Sequence, residues 1–204
     1  MVKHSKRTKV FQLSLVIIFI LVLLGLFVPQ QFQNISFYLK NLLTTSVGWF
    51  YLLLVTGILI FCVFLIVSPI GQIRLGNPTS RPEHSTTSWI AMMFSAGMGI
   101  GLVFYGAAEP LSHFAISTPN AEIGSADALA DAFRFTFFHW GFHAWAVYAL
   151  VGLSLAYFGF RKREKYQLSV VFKPLFGKYA DGPIATIIDT ITIIATVIGV
   201  ATTL

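Results

Sequence analysis

Apolar positions in this chain gather into five long runs, at about 10–28, 46–69, 88–108, 136–160 and 183–204. Each is about 19 residues or longer, the length at which a helix rising 1.5 Å per residue crosses a hydrocarbon core roughly 30 Å thick. Only a helix satisfies its own backbone over such a length without a closed barrel, and no ten-residue alternating pattern occurs. The pattern predicts five transmembrane helices. Ser125-Ala126-Asp127-Ala128, ahead of an Ala-rich stretch, has the form of a helix start and predicts a short interfacial helix over 126–135 leading into the fourth span. Residues 166–180 are expected to form a second short helix. Segments 29–45 and 109–135 read as connecting loops, the second following Glu109-Pro110, where proline is expected to stop the third span.

Composition agrees with this pattern. Of 204 residues, 56% are hydrophobic, 15% aromatic and only 11% charged, with mean hydropathy +0.77. An ordinary soluble domain carries about 25% charged residues. A soluble enzyme and a disordered chain are excluded, and so is a disulfide scaffold, because Cys62 is the single cysteine.

The net charge of +6 does not indicate a nucleic-acid partner, because its positions follow the apolar runs. Lys3, Lys6, Arg7 and Lys9 precede the first run, and Arg74 and Arg81 follow the second. Arg161, Lys162, Arg163, Lys165, Lys173 and Lys178 follow the fourth. Only Lys40 and Arg134 fall in the intervening segments, and the second of these carries Glu122, Asp127 and Asp131. Basic residues therefore occupy every other loop, and the positive-inside rule places the N-terminus in the cytoplasm of a multi-pass protein of the plasma membrane. The first run has the basic start of a signal peptide, but Phe27-Val28-Pro29-Gln30-Gln31 follows it in place of a small-residue cleavage site, so it reads as a retained span. The fifth run ends at Leu204 in apolar sequence with no polar flank; the expectation is the N-terminal part of a longer protein.

Two stretches carry chemistry. Ser95-Ala96-Gly97-Met98-Gly99-Ile100-Gly101 puts three glycines into five residues in the middle of the third run. Interior glycines cost a helix roughly 1 kcal/mol each. Gly97 and Gly101 have small-xxx-small spacing for helix packing; Gly99 lies off that face and favours a break whose freed carbonyls hold a cation or polar ligand. In the fourth run, Phe138-His139-Trp140-Gly141-Phe142-His143-Ala144-Trp145-Ala146-Val147-Tyr148 is dense in aromatics. On a continuous helix Trp140 and Tyr148 fall about 80° and about 12 Å apart, with Trp145 about 60° from Tyr148. An interfacial belt accounts for Trp140, but Tyr148 is too deep for one. Aromatic faces along a pathway suit a quaternary ammonium, held by cation–π contact.

Other signals are weaker. His139 and His143 have the i, i+4 spacing of a metal pair without a third ligand, so no transition-metal site is expected. Asp189, about two turns into the fifth run, is expensive there unless paired. No phosphate-binding loop, nucleophile–base pair or CxxC is present, so enzymatic chemistry and an organic cofactor are not expected.

Ala96 to Gly106, then Glu109-Pro110, then His139-Trp140-Gly141 through Tyr148 resemble the betaine/carnitine/choline transporter family, over roughly residues 10–204. The resemblance implies an all-α, twelve-span carrier of the LeuT-type fold, with two preliminary helices before two inverted five-helix repeats. Residues 1–9 would then be a cytoplasmic tail, 10–69 the preliminary helices and 88–204 the first three helices of the first repeat. It further implies substrate contacts from Trp140, Trp145, Tyr148, Gly97, Met98, Gly99 and Gly101, and a sodium ion held by Ala96, Met98 and Thr196. Gly101 resembles sodium-coupled betaine carriers, where proton-coupled choline carriers have Asp. Val200 departs from the second threonine of the sodium-coupled pattern, which weakens one of two sodium sites. The implied function is sodium symport of glycine betaine in a lipid bilayer, as a homotrimer. Proton-coupled choline uptake or carnitine-type exchange is the alternative within the family, and a non-transporting scaffold or sensor the alternative outside it.

Overall fold

The computed structural model describes residues 3–77, 79, 81–97, 99–116 and 121–203; side-chain surroundings are described for these except at 3–8, 96, 100, 101, 178, 202 and 203. Nine α-helices are described: α1 (Lys3–Phe27), α2 (Pro29–Val67), α3 (Thr86–Gly97), α4 (Ile100–Ala115), α5 (Ala126–His139), α6 (Phe142–Ala156), α7 (Leu168–Val171), α8 (Lys173–Phe176) and α9 (Pro183–Thr203). No strand occurs among the described residues. Among the described residues four helical stretches are long and apolar enough to cross a membrane: Lys9–Phe27, Pro29–Val67, Ala126–Arg161 and Pro183–Ala201.

One sequence expectation is corrected among the long helices. The segment 29–45, read as a loop, belongs to α2, whose 39 residues extend about 58 Å. Its Gln30, Gln31, Gln33 and Asn34 end the apolar pattern without ending the helix, because polar residues without Gly or Pro can continue one. Helix α1 begins at Lys3, ahead of the first apolar run. The run 88–108 is interrupted as Gly99 led the sequence to predict: α3 spans 12 residues, α4 spans 16, and the backbone at Gly99 between them is extended (φ −67°, ψ 173°). The break falls at the glycines, and neither piece alone matches the thickness of a bilayer core.

The chain divides into two compact units. The first comprises Met1–Gly57 and Val151–Gly199. There, α6 ends in a five-residue π-helical turn, Tyr157–Arg161, and the chain reverses through Arg163 at φ 56°. Tyr166 then packs directly against the Cα of Gly159, leaving no room for a side chain there. The short helix α7 has no local cap, since the Gln167 side chain makes none. Its second N–H, from Ser169, donates instead to Asp189 Oδ1 of α9 at 3.1 Å, and Ser169 Oγ donates to Oδ2 at 2.9 Å. Both residues are buried. Asp189 thus has the partner that its depth in the run requires.

The second unit comprises Ile58–Leu150 and Val200–Leu204. Gly124 (φ +79°) turns the chain into α5, a conformation that a side chain would strain. Ser125 caps α5 as the sequence predicts, its hydroxyl accepting from the Ala128 N–H at 3.1 Å. Within this unit α5 lies along α4 in an extensive helix–helix contact. Pro110 does not stop the third run; it lies inside α4, which continues to Ala115.

Candidate functional site

The aromatic stretch at 138–148 is not one continuous helix. Helix α5 ends at His139, Trp140 leaves helical geometry (φ −98°, ψ 6°), and α6 starts at Phe142. Gly141 permits this junction, since a Cβ there would strike the Phe137 carbonyl. The angular relation expected between Trp140 and Tyr148 therefore does not hold. It presumes 100° per residue through a position where the helix is interrupted.

A different arrangement replaces it, all within the second unit. The Trp145 ring lies against Gly97, the last residue of α3, so closely that a Cβ there would be 2.8 Å from Trp145 Cη2. The Trp145 indole N–H donates to the Trp140 carbonyl at 3.1 Å. The Trp145 and Tyr148 rings lie 5.7 Å apart at 43°. Trp140 itself stacks on Tyr105 of α4, with centroids 6.1 Å apart and planes at 26°. Its indole N–H donates to Glu109 Oε2 at 2.7 Å. Trp140 and Trp145, with Phe137, Phe142, His143 and Leu59, line one pocket of about 520 Å³, within the usual range for small-molecule sites.

The structure thus brings together Gly97, Trp140, Trp145 and Tyr148 of the predicted substrate set. Tyr148 is the most exposed of them, at 72%. Gly99 stands at the helix break; among the described residues, its chain neighbours aside, no atom lies within 4 Å of a Cβ placed on it. Met98, assigned to both substrate and ion, lies outside the described residues, as do the side-chain surroundings of Ala96 and Gly101. Thr196 belongs to the first unit, where its hydroxyl donates to the Thr192 carbonyl at 2.7 Å.

His139, one of the two histidines with metal-pair spacing, is engaged otherwise. Its Nδ1 lies 2.8 Å from Glu109 Oε1 and 3.0 Å from Oε2. His143 packs against the Phe138 ring at 4.6 Å. Sequence reasoning missed Glu109 and Tyr105. The sequence marks Glu109 only as the neighbour of Pro110 at the end of the third run, although an acidic residue there signals a need for donors.

Long apolar helices, one broken at glycines beside a pocket walled by indoles, describe a membrane protein. Residues 9–204 match the model for BCCT, the betaine/carnitine/choline family transporter, and the chain belongs to this family. It is 51% identical over 204 residues to the glycine betaine transporter OpuD of Bacillus subtilis strain 168, covering 100% of this chain and 40% of that protein. It is 43% identical over 195 residues to a glycine betaine transporter of Acinetobacter baylyi, covering 96% of this chain and 29% of the other. Against an ectoine/hydroxyectoine transporter of Virgibacillus pantothenticus the identity is 42% over 203 residues, covering 99% and 40% respectively. The chain therefore spans no more than about 40% of the length of these relatives. The family is one of transporters, not of enzymes.

Proposed function

We propose that the full-length gene product takes up a quaternary ammonium osmolyte, glycine betaine foremost, by sodium symport, with its N-terminus in the cytoplasm. The observation that carries this reading is the pair Trp140 and Trp145 lining one pocket beside the break between α3 and α4. A quaternary ammonium offers no N–H, so aromatic faces are the groups that recognise it. The relatives named for glycine betaine support the same substrate. Sodium coupling rests on the family resemblance, which names Ala96, Met98 and Thr196 as ion ligands and gives Gly101 where proton-coupled carriers have a carboxylate. Three aromatics contribute about 0.5–2 kcal/mol each, whereas micromolar affinity needs about 8 kcal/mol. The balance must come from groups beyond Trp140, Trp145 and Tyr148, the ion among them.

The test is radiolabelled betaine uptake by cells expressing the full-length gene product. Replacing sodium with potassium is expected to abolish uptake; retained, proton-driven uptake of choline would establish the alternative coupling. Trp140→Ala should raise KM about tenfold, and Trp49→Ala, at an exposed position of α2, less than about twofold. Equal effects would remove Trp140 from the substrate site. Excess unlabelled ectoine, the solute of one relative, measures selectivity in the same assay.

A further inference from the structure

Glu109 gathers three ring nitrogens. Trp140 Nε1 donates to Oε2 at 2.7 Å, and His139 Nδ1 lies 2.8 Å from Oε1 and 3.0 Å from Oε2. His113, one turn further along α4, approaches Oε1 at 3.4 Å. An ionised carboxylate only accepts, so the His139 nitrogen that faces it carries the proton. The carboxylate is 12% exposed. Packing α4 against α5 does not call for such a group, since apolar residues of similar volume do so without desolvating a charge.

What the carboxylate does accomplish follows from the residue one turn before it. Tyr105 stacks on the face of the same indole whose N–H edge Glu109 holds. A tryptophan ring moves about two side-chain torsions, and a charge-assisted bond at its edge together with a stacked ring on its face selects one orientation. Trp140 needs this support because it stands outside both helices, at the α5–α6 junction, where no helical turn confines its rotamer.

We propose that Glu109 is a positioning residue for Trp140: without lining the pocket itself, it holds the indole in the orientation that meets the quaternary ammonium. This rests on the assignment of Trp140 to the substrate, so two independent readouts are required. The first is the indole ¹⁵N–¹H resonance of Trp140 in the purified full-length product labelled with ¹⁵N-tryptophan, identified by its loss in Trp140→Phe. The second is the split between KM and Vmax for betaine.

Glu109→Ala is expected to move the Trp140 indole resonance upfield and to raise KM about fivefold, with Vmax held within about twofold. Glu109→Gln keeps one acceptor oxygen for the indole and should restore most of the KM. An unmoved resonance in both variants overturns the proposal whatever uptake does. A moved resonance with unchanged KM also overturns it if Trp140→Ala still raises KM, because orientation then does not matter to binding. If Trp140→Ala leaves KM unchanged, the substrate assignment fails, and the resonance alone decides whether Glu109 orients the ring.

Discussion

Glu109, half-buried, and Asp189, buried, are both carboxylates within largely apolar helices, and they are satisfied by different kinds of donor. Asp189 accepts from the backbone N–H and the hydroxyl of one residue, Ser169. Glu109 accepts from the ring N–H groups of His139 and Trp140. A backbone N–H is displaced only by moving the chain that carries it, so Asp189 fastens α7 to α9. Helix α7 is four residues long, too short to persist by itself, and its missing N-terminal cap arrives from 20 residues away. A ring N–H is displaced by side-chain rotation, so Glu109 aims a ring. The same chemical group serves stability in one unit and orientation in the other.

The largest expected effect tests that contrast. Asp189→Ala strands two buried donors and should destabilise the full-length product by about 3 kcal/mol, read as a fall in Tm in detergent. Glu109→Ala should cost about 1 kcal/mol, because His139 is 65% exposed and finds other acceptors. Equal losses of Tm would erase the distinction between tether and orienter.

A smaller effect concerns the floor of the aromatic site. At Gly97 a methyl group meets Trp145, a stiff ring, at 2.8 Å. Gly97→Ala should therefore tilt the indole and cost about 1–3 kcal/mol, with a rise in betaine KM. Gly99→Ala meets nothing within 4 Å and keeps an accessible φ of −67°; its cost should stay within about 0.5 kcal/mol. A similar penalty at both positions would mean that the glycines act through the break alone and that Trp145 is not seated on Gly97.

Much of this architecture was legible in the chain. Runs of apolar residues gave the long helices, Ser125 announced the start of α5, and three glycines in five residues marked the break between α3 and α4. What stayed hidden depends on long-range geometry. The donors to Glu109 lie 30 and 31 residues away, and nothing local distinguishes a carboxylate that aims a ring from one that ends a helix. The helical wheel failed at Trp140 because it carries no record of an interruption, and Gly141, which permits one, resembles any packing glycine. Pro110 was expected to stop its helix, yet proline interrupts only locally, and α4 runs on to Ala115.

The smallest effect dissects the tether itself. Ser169→Ala deletes the hydroxyl donor at 2.9 Å but leaves the backbone N–H to Asp189 at 3.1 Å. Because the remaining bond still caps α7, the cost should be about 1 kcal/mol, a third of that of Asp189→Ala. The two residues act through one contact, so their effects cannot add. Once Asp189 is alanine, the Ser169 hydroxyl has lost its acceptor, and its removal should then be nearly neutral or relieve an unsatisfied donor. The Tm of the double variant should match that of Asp189→Ala to within about 0.5 kcal/mol. A fully additive double variant would show that Asp189 stabilises the protein through something other than Ser169, and the comparison with Glu109 would lose its structural basis.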